Sequence, residues 1–234
     1  MSTFYSELVC CPHCGSQVLQ NVAHSINAKR SPHYKQAILA GQFQRYPCSN
    51  CGQDYLVDKA LIYFDDQDKI WIGMFSATQE YNWQQYEHEP MQAYQFACGA
   101  TAPPIAQAIG QDMKIRTVFG LSALREKILC FQAGIDDTVL ELLKFRLALS
   151  GDRFALEPRL RLRLLEINPP DVIFQVESPA AAIQTIAVDW QLYETLTQEL
   201  ELWAALRQKI ESSPYRDMGK LLSSERWQVE VAAR

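Results

Sequence analysis

Cys11-Pro12-His13-Cys14-Gly15 and Cys48-Ser49-Asn50-Cys51-Gly52 are the two stretches that decide how this chain is read. Each is a Cys-x-x-Cys turn closed by a glycine. In such a turn two thiolates converge on one metal, and backbone N–H groups point at the sulfurs and offset their charge. Gly15 and Gly52 supply the positive φ that lets the chain reverse, and Pro12 pre-sets one dihedral of the first turn. Two such turns in one chain predict a four-thiolate zinc site built from Cys11, Cys14, Cys48 and Cys51.

Two other uses of the cysteines carry less weight. Cys-Pro-His-Cys is also the active-site string of thiol oxidants similar to the bacterial periplasmic disulfide oxidase, where a thiolate opens a helix. Here Gly15 and strand-like residues follow instead, and a second Cys-x-x-Cys is present. A secreted disulfide framework fits poorly with seven cysteines, an odd number. Residues 1–10 show no basic region followed by an apolar stretch, so no signal peptide is expected and the reading is cytoplasmic. Cys98 and Cys130 read as small core residues, and Cys10 sits beside a ligand position. His13 lies inside the first turn, where side chains face solvent. His24, His33 and His88 have no partner at metal spacing, and Glu87-His88-Glu89 reads as a solvated loop.

The 234 residues are 48% hydrophobic and 21% charged, enough to bury a core as one large or two small domains. No stretch approaches a bilayer-spanning apolar run. A net charge of -5 speaks against a broad nucleic-acid surface.

Outward from the turns, Ser16 to Ile26 alternates as a strand. Ser31 as N-cap, Pro32 at the first helical position, Tyr34, Ile38 and Leu39 on one face and a terminating Gly41 predict a short helix over 32–40, inserted between the cysteine pairs. Gln42 to Tyr46 should lead into the second turn. Tyr55–Phe64 and Lys69–Phe75 read as a hairpin around Asp65-Asp66-Gln67-Asp68. Tyr81, Trp83, Tyr86, Tyr94 and Phe96 form an aromatic cluster that is helical or irregular and packs over a sheet edge. A strand is expected at Lys114–Phe119. Two helices follow: Ser122 caps the first, which Gly134 ends, and Asp136 caps the second with Ile135 and Leu140 as a hydrophobic staple. Asp136 and Asp137 at the start of that helix, with Lys144 and Arg146 near its end, suit its dipole and solubility.

The paired cysteine turns, the segment Leu61-Ile62-Tyr63-Phe64-Asp65-Asp66 and the run from Leu124 to Lys144 together resemble the CpXC-domain proteins over residues 10 to 150. The second turn departs from the family pattern in carrying Ser49 where a proline is expected. The resemblance implies a prokaryotic protein built around a zinc-ribbon-like site. It carries over the four cysteines and no catalytic residue.

After Gly151, Arg159-Leu160-Arg161-Leu162-Arg163-Leu164 alternates strictly, placing leucines on one strand face and three arginines on a solvent-facing other. Asn168-Pro169-Pro170-Asp171 breaks the strand, and Val172–Val176 returns as its partner. One long amphipathic helix is expected from Asp189 to Ile210, with Trp227 and Val229 in a last strand.

The expected fold is therefore α+β: a zinc-ribbon-like antiparallel sheet with an inserted helix, then helices, then a C-terminal hairpin and long helix. Residues 1–150 form the ribbon domain with its helical extension, and 151–234 form an α+β region packed on it. Four protein ligands leave zinc no open position, which favours a non-enzymatic adaptor whose partner is another protein. The alternatives are an enzyme with a structural zinc and an active site between ribbon and C-terminal region, and a nucleic-acid-binding ribbon using Arg159, Arg161 and Arg163. No Walker loop, GxSxG elbow, HExxH helix or dinucleotide fingerprint is present.

Overall fold

The computed structural model describes residues 2–150, 160–178 and 181–222. The expected Arg159 position and the Trp227 and Val229 strand lie outside them. The chain divides into two compact units, 1–125 and 126–234.

The first unit is built on a five-stranded sheet. Strands β1 (Thr3–Cys10), β2 (Gln17–Asn27), β5 (Leu61–Asp65), β6 (Ile70–Phe75) and β7 (Lys114–Phe119) lie side by side in that order. A separate two-stranded antiparallel pair, β3 (Arg45–Pro47) and β4 (Asp54–Leu56), carries the second cysteine turn. The expected antiparallel sheet is in fact mixed: β1/β2 and β5/β6 are antiparallel, whereas β2/β5 and β6/β7 are parallel. Parallel neighbours need long crossovers. The segment holding helix α1 (Pro32–Leu39) supplies the first crossover. A 3-10 helix (Ala77–Gln85), α2 (Glu89–Cys98) and α3 (Pro104–Gly110) supply the second.

Local details follow from the residues. Ser31 precedes α1 but makes no side-chain cap bond; its hydroxyl accepts instead from Ser2 at 3.0 Å. Lys35 on α1 reaches the β5–β6 turn, 2.8 Å from Asp65 and 2.6 Å from Asp68. The expected single strand over 55–64 is two, because Val57 to Ala60 leave one sheet before entering the other. Pro90 at the start of α2 packs on Gly73 of β6, where any β-carbon would overlap the proline ring. The expected aromatic packing is found here, with Tyr94 of α2 edge-on to Trp71 at 5.9 Å. Tyr81 and Phe96, however, are 79% and 90% exposed and do not join that packing.

The second unit packs a three-stranded antiparallel sheet with helices. Its strands β8 (Arg161–Asn168), β9 (Asp171–Ser178) and β10 (Ala181–Asp189) lie in the order β10-β9-β8. Its helices include the end of α4 (Leu121–Gln132), α5 (Asp137–Leu149), α6 (Gln191–Gln198), α7 (Ala204–Glu211) and the short α8 (Gly219–Leu222). Since α4 begins at Leu121, Ser122 lies inside its first turn and is not its cap. Asp136 does cap α5, accepting from the Thr138 and Val139 N–H groups at 2.8 and 3.4 Å. The hairpin after Gly151 is present, but sequence alternation missed its third strand, β10. The expected long helix is broken into α6 and α7 at residues 199–203. That break brings both Leu196 and Ile210 fully into the core with Leu140, Leu143, Leu162 and Phe174.

Two further expectations are overturned by burial. Leu160, Leu162 and Leu164 enter the core as the alternation predicts, but Arg163 on the supposed solvent face is buried as well, 3.2 Å from Asp217. Asp137 and Lys144, read as solubilising, belong to an internal ionic network with Glu126, Lys127 and Glu141, all at most 3% exposed. Lys144 Nζ lies 2.6 Å from Glu126 and 2.9 Å from Glu141, and Lys127 Nζ lies 3.1 Å from Glu141 and 3.2 Å from Asp137. The spare oxygens accept backbone N–H groups: Glu126 from Leu164 at 2.6 Å and Glu141 from Met218 at 3.0 Å. Burial pushes the Asp217 carboxyl up, but Arg163, Arg161 and Lys144 outweigh it and hold the group below the usual carboxylate range.

Removing one member of such a network strands the rest without compensation. Glu141→Ala is expected to cost about 3–5 kcal/mol in urea unfolding, because two buried ammonium groups lose their shared acceptor. A depressed carboxylate stabilises fully above its unfolded value, about 3.9 for Asp, and loses that contribution as pH falls through its lower folded value. Asp217→Asn should therefore flatten the acid limb of the stability profile below about pH 4, read by urea midpoints at stepped pH.

Candidate metal centre

The β1–β2 hairpin turns through residues 11–16 and the β3–β4 hairpin turns through 48–53, and the two turns are near copies. Gly15 N–H donates to Cys11 C=O at 2.9 Å and Gly52 N–H to Cys48 C=O at 2.8 Å. Cys11 N–H donates to Ser16 C=O and Cys48 N–H to Gln53 C=O, both at 2.9 Å. Gly15 and Gly52 take φ of 73° and 72°, the left-handed region that glycine enters without steric cost. Ser49 in place of proline thus leaves the turn unchanged.

Each turn directs its first cysteine inward and its second outward. Cys11 and Cys48 are buried in a small apolar cluster with Val22, Tyr55 and Val57, against which Val9, Val18 and Tyr46 pack. Polar bonds tie the hairpins together around it. Tyr46 Oη donates to Asn21 C=O at 2.6 Å, and Gln20 Nε2 donates to Tyr55 Oη at 2.8 Å. His13 Nε2 lies 3.2 Å from Asp54 C=O, bridging the first turn to β4.

The four sulfurs of Cys11, Cys14, Cys48 and Cys51 all lie within 4.8 Å of one another. Cys11 to Cys51 is 3.9 Å and Cys14 to Cys48 is 3.7 Å. Sulfurs placed about 2.3 Å from a tetrahedral ion are about 3.8 Å apart, so the donor set is of a size to hold one metal ion. The family model described as CpXC protein matches residues 9–144, more than half the chain, and spans both turns. The chain belongs to the CpXC family. No curated protein and no solved structure matches it.

In this CpXC protein the donors around the sulfurs are as specific as the sulfurs. The Ser16 hydroxyl and backbone N–H, with the Asn50 side-chain amide at 3.6 Å, hold the Cys14 thiol down to about 5. Backbone N–H groups of Cys51 and Asn50 lower Cys48. Cys51 accepts from the Gln53 N–H, which lowers it, but burial and the neighbouring Cys14, Cys48 and Cys11 sulfurs push it up to about 12. A sulfur ligates a metal as thiolate, so metal uptake releases the protons the thiols carry. Ser16, Asn50 and Gln53 were not singled out by the sequence reading, although each sits one or two places from a cysteine.

The remaining sequence candidates stand apart from the cluster. Cys10 Sγ turns away and donates to Gly15 C=O at 3.3 Å. Cys130 is buried in the core of the second unit, as expected, and Cys98 is half-buried beside Gly110. His24 lies near Thr3, His33 rests against the Tyr34 ring, and His88 lies 3.7 Å from Glu87. Asp136 and Asp137 cap and buttress α5.

Cys48→Ser is expected to abolish stoichiometric metal retention, whereas Cys10→Ser leaves it intact; elemental analysis of the purified proteins reads both. Because uptake releases protons, the apparent metal affinity should fall as the pH is lowered through the thiol range, measured by competition with a chromophoric chelator.

Proposed function

We propose that this CpXC protein is a non-enzymatic, zinc-stabilised interaction module. The carrying observation is the donor set: four protein sulfurs lie within 4.8 Å of one another, and a tetrahedral ion held by all four has no position left for water or substrate. The role of the ion is then mechanical. Only a few side chains are buried between the two hairpins, whereas a structural zinc contributes on the order of 10–16 kcal/mol in finger peptides. That is comparable with the roughly 5–15 kcal/mol that stabilises a whole domain. A tetrahedral all-sulfur set suits zinc or iron; zinc is the reading here because a purely structural role needs no redox change.

The supported surface is the outer face of the β1–β2 hairpin. Leu8 and Leu19 stand directly opposite each other across the strand pair and are 59% and 63% exposed. A cross-strand leucine pair displayed to water, on a hairpin whose other face is pinned to the metal site, is suited to a protein contact.

Purified protein should be colourless and hold one zinc per chain. A visible sulfur-to-metal charge-transfer band with stoichiometric iron would overturn the choice of ion. Chelation should unfold the hairpins selectively, seen as new protease cleavage within residues 9–57 while peptides of the second unit stay protected. Leu19→Asp should keep its zinc and its thermal midpoint yet lose crosslinking to protein partners in native cells; unchanged crosslinking would remove this face from the reading.

A further inference from the structure

The β1 strand that carries Leu8 is an edge. It pairs with β2 on one side, and among the described residues no strand pairs with its other side. It also lacks the devices that normally protect an edge. Its register with β2 runs unbroken from Phe4 to Cys10, with an irregularity only at Thr3. It holds no proline and one charge, Glu7, which Lys59 neutralises at 2.8 Å. Its residues, TFYSELVC, are rich in strand formers. An exposed, regular, nearly uncharged edge beside an apolar pair is a template for another strand.

We propose that the occupant is a second copy of this chain, its β1 laid antiparallel along the first about a two-fold axis at Ser6, so that the two five-stranded sheets become one. This rests on the reading of the β1–β2 outer face as a protein contact. The sequence of the strand argues for self-pairing. Antiparallel pairing centred on Ser6 overlaps nearly the whole strand, and it sets Phe4 of one copy opposite Leu8 of the other, Tyr5 opposite Glu7, and Ser6 opposite Ser6. These three pairs are compatible, apolar with apolar, phenol with carboxylate and hydroxyl with hydroxyl, and Thr3 faces Val9, two strand formers. No like charges meet, because Glu7 never faces Glu7. Leu19 and Leu8 of one copy then continue into Phe4 of the other, an apolar row along neighbouring strands that withdraws the leucine pair from water. A two-fold interface of this kind is closed, and two copies satisfy it.

The test uses the full-length, metal-loaded chain in sedimentation equilibrium over a hundredfold range of concentration. The expected mass is that of two chains. Ser6→Lys and Ser6→Glu each place like charges on the axis, and each alone should be monomeric, or dimerise at least tenfold more weakly, with zinc content unchanged. Mixed in equal amounts, the two variants should restore the dimer, because opposite charges then meet on the axis. A wild-type monomer at every concentration overturns the proposal, as does a dimer indifferent to Ser6→Lys. A monomer whose crosslinking to other proteins is still lost in Leu19→Asp overturns self-pairing alone. A monomer in which Leu19→Asp changes nothing overturns the contact surface as well.

Discussion

The first unit depends on one constraint: two short hairpins must stay face to face although little apolar surface lies between them. Four cysteine sulfurs within 4.8 Å of one another, a set able to hold one metal ion, lie at that junction, and side-chain bonds surround them. Tyr46 to Asn21, Gln20 to Tyr55 and His13 to Asp54 cross from one hairpin to the other, while backbone N–H groups soften the charge that four thiolates bring together. The stretch between the turns can therefore be long. Loop-closure entropy grows slowly with length, and residues 15–47 hold β2 and α1, which have anchors of their own in the Phe4–Tyr34 contact and in the clamp of Lys35 on Asp65 and Asp68.

The second unit is organised by a different interaction. Its core is apolar along α5, β8 and β9, yet a chain of lysines and carboxylates runs through it from Asp137 to Glu126. Buried ion pairs are a costly way to obtain stability, since each charge must leave water. What they fix here is position: Glu126 uses one oxygen for Lys144 and Glu141 uses one for both Lys127 and Lys144, and their other oxygens accept the backbone N–H groups of Leu164 in β8 and of Met218 before α8. Strand, helix and loop are thereby locked in one register. The Arg163–Asp217 pair repeats the device at the same strand.

These two arrangements differ in how far they could be read from residues alone. The cysteine turns are local: four consecutive residues and a glycine determine the backbone, so the clustering of the four sulfurs and the inserted helix were legible, whereas β1 was not anticipated and β4 was merged with β5. The α5 cap and its staple were legible for the same reason. Pairing partners were not. A period-two pattern reports which face a residue occupies but not which strand lies beside it, so the parallel neighbours β2/β5 and β6/β7 went unseen. The break between α6 and α7 also escaped, since Leu192, Leu196, Leu200, Trp203 and Leu206 keep helical spacing across it.

By itself the sequence determined the four sulfurs, the turns that present them and membership of a family defined by those turns, because each depends on residues adjacent in the chain. Only the tertiary structure decided that Arg163, Lys144 and Asp137 are internal, that β1 is an edge and that the sheet is mixed. A charged side chain in an alternating strand or on a helix reads the same whether water or a buried partner waits for it. The difference lies in elements tens of residues away, and packing them together is what sets the dielectric each charge meets.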